Sequence, residues 1–183
     1  MKKELQSFEE EFFRSIREKE VWKNISENED LPWDADFINM HKDNLDWDAL
    51  CGNEAIYWNV DLIEKYKFRI DWTILSANIF ESRYNSPQRF NWEIFKKFEN
   101  RWNWHELSKN SYNIPVVIIE EFAGNWDWKE LIDNDRIPWS FELFNKYKKY
   151  ISLIDFDVLN QSRMWEQLIK IEEKILIGKL LSE

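Results

Sequence analysis

The chain has 183 residues, with 12 Trp and 13 Phe beside only 3 Gly and 4 Pro, and a formal charge of −10. So few backbone breakers disfavour an all-β fold, which needs a turn about every ten residues, and favour helices with short connections. The charge is about −8 over residues 1–60, where fifteen acidic residues face seven basic ones, which disfavours direct nucleic-acid binding by counterion displacement.

The opening Met1-Lys2-Lys3-Glu4-Leu5-Gln6-Ser7 leads into an acidic amphipathic segment and lacks the apolar centre of a signal peptide. No apolar run approaches the roughly 20 residues that a bilayer-spanning helix requires, and the lone Cys51 permits no internal disulfide. These features suggest a cytoplasmic protein, expected to form a single domain over residues 1–183.

From residue 8 onward the chain repeats itself. Trp22, Trp47, Trp72, Trp104 and Trp128 follow one another at steps of 25, 25, 32 and 24, each opening a W-x-x-(L/I)-(mostly S)-x-N motif that closes on Asn28, Asn53, Asn78, Asn110 or Asn134. A first anchor stands 14 residues upstream of each Trp, at Phe8, Trp33, Trp58, Phe90 and Ile114, and the series continues at Trp139. Between the anchors, apolar residues recur at offsets +4, +5, +8 and usually +12, as in Leu62, Ile63, Tyr66 and Ile70. That is the one-face spacing of an amphipathic helix.

After the first anchor come Asp34, Asn59, Asn91 and Ser140, which read as N-caps. Two positions further on, Asp36, Asp61, Glu93 and Glu142 suit the positive end of the helix dipole, and Pro32 and Pro138 discourage backward extension of the helix. Each repeat is therefore expected to hold a helix of about three turns, a tight corner, a short helix carrying the motif and an Asn connector. Such helices fall below the roughly 12 to 15 residues at which isolated helices become marginally stable, so neighbouring repeats must support them. The expected fold is an all-α solenoid of about six helix-turn-short-helix repeats over residues 8–32, 33–57, 58–89, 90–113, 114–138 and 139–164, with a capping helix over 165–183. Phe156 takes the Trp place in a degenerate last motif.

The repeat opens on Leu31-Pro32-Trp33 or Ile137-Pro138-Trp139 and closes on Ile70-Asp71-Trp72-Thr73-Ile74-Leu75-Ser76-Ala77-Asn78. It resembles the Trp-rich tandem repeats of bacterial and large-DNA-virus proteins. The resemblance spans nearly the whole chain, departs from the pattern at Ile114, Phe156 and Gly178, implies a helical array and brings no active-site residues.

Chemistry finds little foothold in the sequence. His41 occupies an offset +8 core position, His105 follows Trp104 at a variable position, and with one Cys they form neither a metal set nor a Cys-His pair of recognisable spacing. The Trp rings are read as core at the motif positions, somewhat less so at Trp33, Trp58 and Trp139, and the Asn amides as ties to their own connectors. Recognition is assigned to the long connector after Asn78, with Phe80, Arg83, Tyr84 and Arg89 as candidate interaction residues, because insertions in repeat proteins map to binding faces. The last helix, with apolar residues on more than one face, is either a buried cap, the favoured reading, or a homodimer surface. The function expected is a non-enzymatic protein- or peptide-interaction module without cofactor or metal, suited to a basic partner by its acidic N-terminal third. The alternatives are a nucleotide or sugar receptor built from exposed rings and amides, and an acidic inhibitor that mimics nucleic acid.

Overall fold

A computed structural model describes residues 2–79, 93–109 and 114–182, with side chains from residue 10 onward. Every element among the described residues is helical, and the chain divides into two compact bodies, Met1–Trp102 and Asn103–Glu183. The N-terminal body holds α1 (Lys2–Glu27), α2 (Ala35–His41), α3 (Trp47–Gly52), α4 (Val60–Tyr66), α5 (Trp72–Asn78) and α6 (Glu93–Lys97). The C-terminal body holds α7 (Trp104–Lys109), α8 (Val116–Glu121), α9 (Trp128–Leu131), α10 (Phe141–Ile151), α11 (Phe156–Leu159) and α12 (Arg163–Leu180).

Helix starts follow the local chemistry. Asp34, Asn59 and Ser140 accept the backbone N–H groups of Phe37, Leu62 and Leu143, while Asn91 lies outside the described residues. The residue preceding Trp47, Trp72 and Trp128 is an Asp that forms a second set of caps, and Asn103 accepts the Glu106 N–H in the same place before Trp104. Asp46 accepts from Ala49, Asp71 from Thr73 and Ile74, and Asp127 from Lys129.

The first helix of a repeat is shorter than its periodicity suggests. In place of three turns, α2 and α4 have seven residues each, and only α10 reaches eleven. After offset +8 a turn takes over, in which the N–H groups of Asn44, Arg69, Arg101 and Asn125 bond the carbonyls of His41, Tyr66, Phe98 and Phe122 at 2.8–2.9 Å. Asp43-Asn44, Asn100 and Gly124-Asn125 are turn formers, and the turn itself returns the offset +12 residue to the core. Leu45, Ile70, Trp102 and Trp126 are buried there.

The first repeat departs from the helix-corner-helix plan altogether, because α1 runs unbroken through it for 26 residues. Val21 stands where Asp46, Asp71 and Asp127 cap the second helix in later repeats, and Glu20 where the apolar offset +12 residue would anchor a corner. Nothing in that stretch competes with helix propagation. Its apolar positions Phe12, Phe13 and Ile16 are 43–60% exposed, whereas the corresponding Leu62, Ile63 and Tyr66, or Ile118, Ile119 and Phe122, are buried.

Within each body the motif helices pack on one another: α1 against α3 and α3 against α5 in one, α7 against α9 in the other, with α9 also meeting α10. No helix among the described residues is long and apolar enough to cross a membrane.

Candidate functional site

The seam between consecutive repeats has the same construction wherever it lies within one body. The motif Trp of one repeat meets the offset +8 ring of the next: Trp22 with His41, Trp47 with Tyr66, Trp72 with Phe98, Trp104 with Phe122 and Trp128 with Tyr147, at centroid distances of 4.8–5.7 Å. Its indole N–H turns back into its own repeat. Trp47, Trp72 and Trp128 donate to the carbonyls of Lys42, Lys67 and Ala123 at 2.9, 3.2 and 2.9 Å, groups left open at the end of the first helix. A residue at offset +11 of the next repeat can cover the remaining ring face, as Arg69 does over Trp47 and Tyr150 over Trp128. Each motif ring is thus committed on at least one face, and Trp47, Trp72 and Trp128 on an edge as well.

Burial ranks the two Trp sets in the opposite order to the sequence reading. Trp33, Trp58 and Trp139 are 8, 2 and 2% exposed, whereas Trp22, Trp47, Trp72 and Trp104 are half-buried and only Trp128 is fully buried among the motif rings.

The motif Ser is the polar half of the seam. Ser26 Oγ donates to the Trp22 carbonyl at 2.7 Å and accepts the Asp46 N–H of the next repeat at 2.9 Å. Ser108 Oγ makes the same pair of bonds, to Trp104 at 2.7 Å and from Asp127 at 3.0 Å. Cys51 stands in the same place, 1% exposed, and its sulfur accepts the Asp71 N–H. Burial, with further contributions from the Asp71, Asp48 and Asp46 carboxylates, pushes its thiol up to about 12 against that hydrogen bond, so no thiolate nucleophile forms near neutral pH.

The Asn amides serve two directions. Asn28, Asn53 and Asn134 accept the N–H two residues on in their own connectors, from Asp30, Ala55 and Arg136 at 2.8–2.9 Å. Asn53, 5% exposed, also donates back to Ser26 and Asn28 carbonyls of the preceding repeat at 2.8 and 3.3 Å. Asn78 donates to the Ile74 carbonyl of its own helix, and Asn110 lies outside the described residues. The cross-repeat bond escaped the sequence reading, which treated the amide as purely local.

Phe80, Arg83, Tyr84 and Arg89, the candidate interaction residues of the long connector, all lie outside the described residues. The last helix is in view. On α12 only Met164 and Leu168 are buried, while Ile169, Ile175, Leu176, Ile177, Leu180 and Leu181, just past its end, are 43–83% exposed. Beyond its first turns, therefore, α12 is not the buried cap favoured on sequence grounds. Gln167 ties the helix start to the preceding repeat by accepting the Trp139 N–H at 3.1 Å.

No protein-family model, curated protein or solved structure matches this chain. The exposed residues of α12 follow a helical stripe, Ile169, Leu176 and Leu180 on one line with Ile175 beside it, the spacing at which one helix packs along another. An open groove of about 490 Å³ in the C-terminal body is polar, lined by Lys109, Glu130, Asp133, Asn134, Asp135, Arg136 and Arg163.

Proposed function

We propose that this chain is a non-enzymatic protein-interaction module in which Trp-rich repeats stack as an α-solenoid within each body and α12 docks a helical segment of a protein partner. The carrying observation is the apolar stripe of α12, whose Ile169, Leu176 and Leu180 are 44, 55 and 62% exposed. Contiguous apolar surface of this kind marks interaction sites in soluble proteins, and a stripe at helical spacing suits a helix partner. The repeated seams support the scaffold part of the reading, since each motif ring meets a ring of the next repeat and Ser26, Cys51 and Ser108 each accept a backbone N–H from it. The same seams weigh against a sugar or nucleotide receptor, because each motif ring has a face against a neighbouring ring and Trp47, Trp72 and Trp128 spend their N–H groups on backbone carbonyls. The acidic charge of residues 1–60 adds a preference for a basic partner, acting mainly on association rate.

The test is capture from a lysate of the source organism by the full chain and by a Leu176→Glu, Leu180→Glu variant, with folding checked by circular dichroism. The expected result is a specific protein retained by the wild type and lost by the variant. Equal retention by both would remove α12 from the interface. A nucleotide or sugar that raised the melting temperature by several degrees, with no protein retained, would replace the reading with ligand binding.

A further inference from the structure

We propose that His105, Asp127 and Glu130 form a binding site for a divalent transition-metal ion, with Zn2+ the best fit. The three come from two successive motif helices, His105 from the first turn of α7, Asp127 from the N-cap of α9 and Glu130 from its first turn. One ligand atom from each lies within 4.8 Å of the others. Donors at about 2.0–2.2 Å from one zinc ion stand roughly 3–4.5 Å apart, so small side-chain rotations close the set.

The backbone beneath it is fixed before any ion arrives. The Asp127 N–H is held by the buried Ser108 Oγ at 3.0 Å, and its Oδ1 accepts the Lys129 N–H at 3.1 Å. Its Oδ2 meets His105 Nδ1 at 2.7 Å. A metal ion takes the place of the proton shared by those two atoms, leaving an imidazole nitrogen and two carboxylate oxygens as donors. Glu130 also lines the open polar groove, and the His105 and Asp127 side chains are themselves partly exposed, so an ion reaches the set from solvent.

The competing reading is a plain ion pair. His105 and Asp127 side chains are 45 and 36% exposed, and a pair that exposed contributes little to stability. The repeats themselves separate the two readings. At the place of His105 other repeats carry Lys23, Asp48, Thr73 and Lys129, and at the place of Glu130 they carry Asn24, Ala49, Ile74 and Glu106. A seam that needed only a cation opposite its Asp has Lys available and gains nothing from a second carboxylate. An imidazole with two carboxylates is instead a mixed nitrogen and oxygen donor set, which suits Zn2+ over the all-oxygen preferences of Mg2+ and Ca2+.

The experiment is isothermal titration calorimetry of the full chain with ZnCl2, with MgCl2 and CaCl2 as controls, on the wild type and on His105→Ala and Glu130→Gln. Both substitutions are at solvent-accessible side chains, and circular dichroism checks that each variant folds. The expected result is one zinc per chain, binding weakened about tenfold or more in each variant, and no heat from magnesium or calcium. Cobalt substitution gives an independent readout, with visible absorption in the wild type that is lost in His105→Ala. Unchanged zinc affinity in His105→Ala, or no wild-type binding below about 100 µM, would overturn the assignment.

Discussion

Asn53→Ala isolates the bond between repeats. The native amide accepts the Ala55 N–H at 2.9 Å and donates to the Ser26 carbonyl at 2.8 Å, in a side chain only 5% exposed. The Ser26 carbonyl belongs to the last turn of α1, where helix carbonyls lack intrahelical partners. Truncation therefore leaves the Ser26 carbonyl unpaired away from water, at about 1–3 kcal/mol, and the part-buried Ala55 N–H without its acceptor, at about 1 kcal/mol, so a loss of about 2–4 kcal/mol is expected. Asn28→Ala is the control, because Asn28 is exposed and makes a single local bond to Asp30 N–H, and its loss should cost only about 0.5–1 kcal/mol. Urea denaturation followed by far-UV circular dichroism reads the difference. A third variant, Asn53→Asp, keeps the acceptor but turns a carboxylate oxygen toward two carbonyls. Its folded pKa should be raised, so its deficit grows as pH rises through the unfolded value of about 3.9 and shrinks at lower pH, where the protonated acid can donate again. Equal losses for Asn53→Ala and Asn28→Ala would show that the cross-repeat bond contributes nothing beyond the local one.

Cys51 should resist Ellman's reagent in the native state at pH 8 and react on unfolding, since its thiol is 1% exposed and pushed up to about 12; rapid native reaction would contradict the buried seam. Cys51→Ser places the hydroxyl of Ser26 and Ser108 at the equivalent seam and should change stability by less than about 1 kcal/mol, whereas Cys51→Val deletes the acceptor for Asp71 N–H and should cost about 1–3 kcal/mol by thermal or urea unfolding. Trp58→Ala, at 2% exposure, should cost about 3–5 kcal/mol, and the half-buried Trp22→Ala clearly less; the reverse order in urea midpoints would refute the burial ranking. Hydrogen bonds from Lys67 and Lys97 hold the Glu64 carboxyl below the usual range, so its stabilisation is present above the unfolded pKa and fades as pH falls through the folded one. The stability gap between wild type and Glu64→Gln should accordingly close on acidification, and a gap that stayed constant from neutral to acidic pH would remove the ion-pair cause.

The sequence alone determined the features that depend on near neighbours. A 3.6-residue apolar rhythm, Asp34, Asn59 and Ser140 at the helix starts and the recurring motif set where the helices from α2 onward begin and their order, though not their lengths. Even the unbroken α1 was readable in principle from Val21, which denies the second helix its usual Asp cap. What the sequence did not decide was how each repeat meets the next. Burial of Trp58 over Trp22 depends on side chains supplied by other segments, and the two partners of Ser26 Oγ lie 4 and 20 residues away. The His105, Asp127 and Glu130 cluster was hidden for the same reason, since two carboxylates more than 20 positions from the histidine become neighbours only when α7 packs on α9. Periodicity constrains which face of a helix is buried; only tertiary packing sets which atoms of another repeat that face will touch.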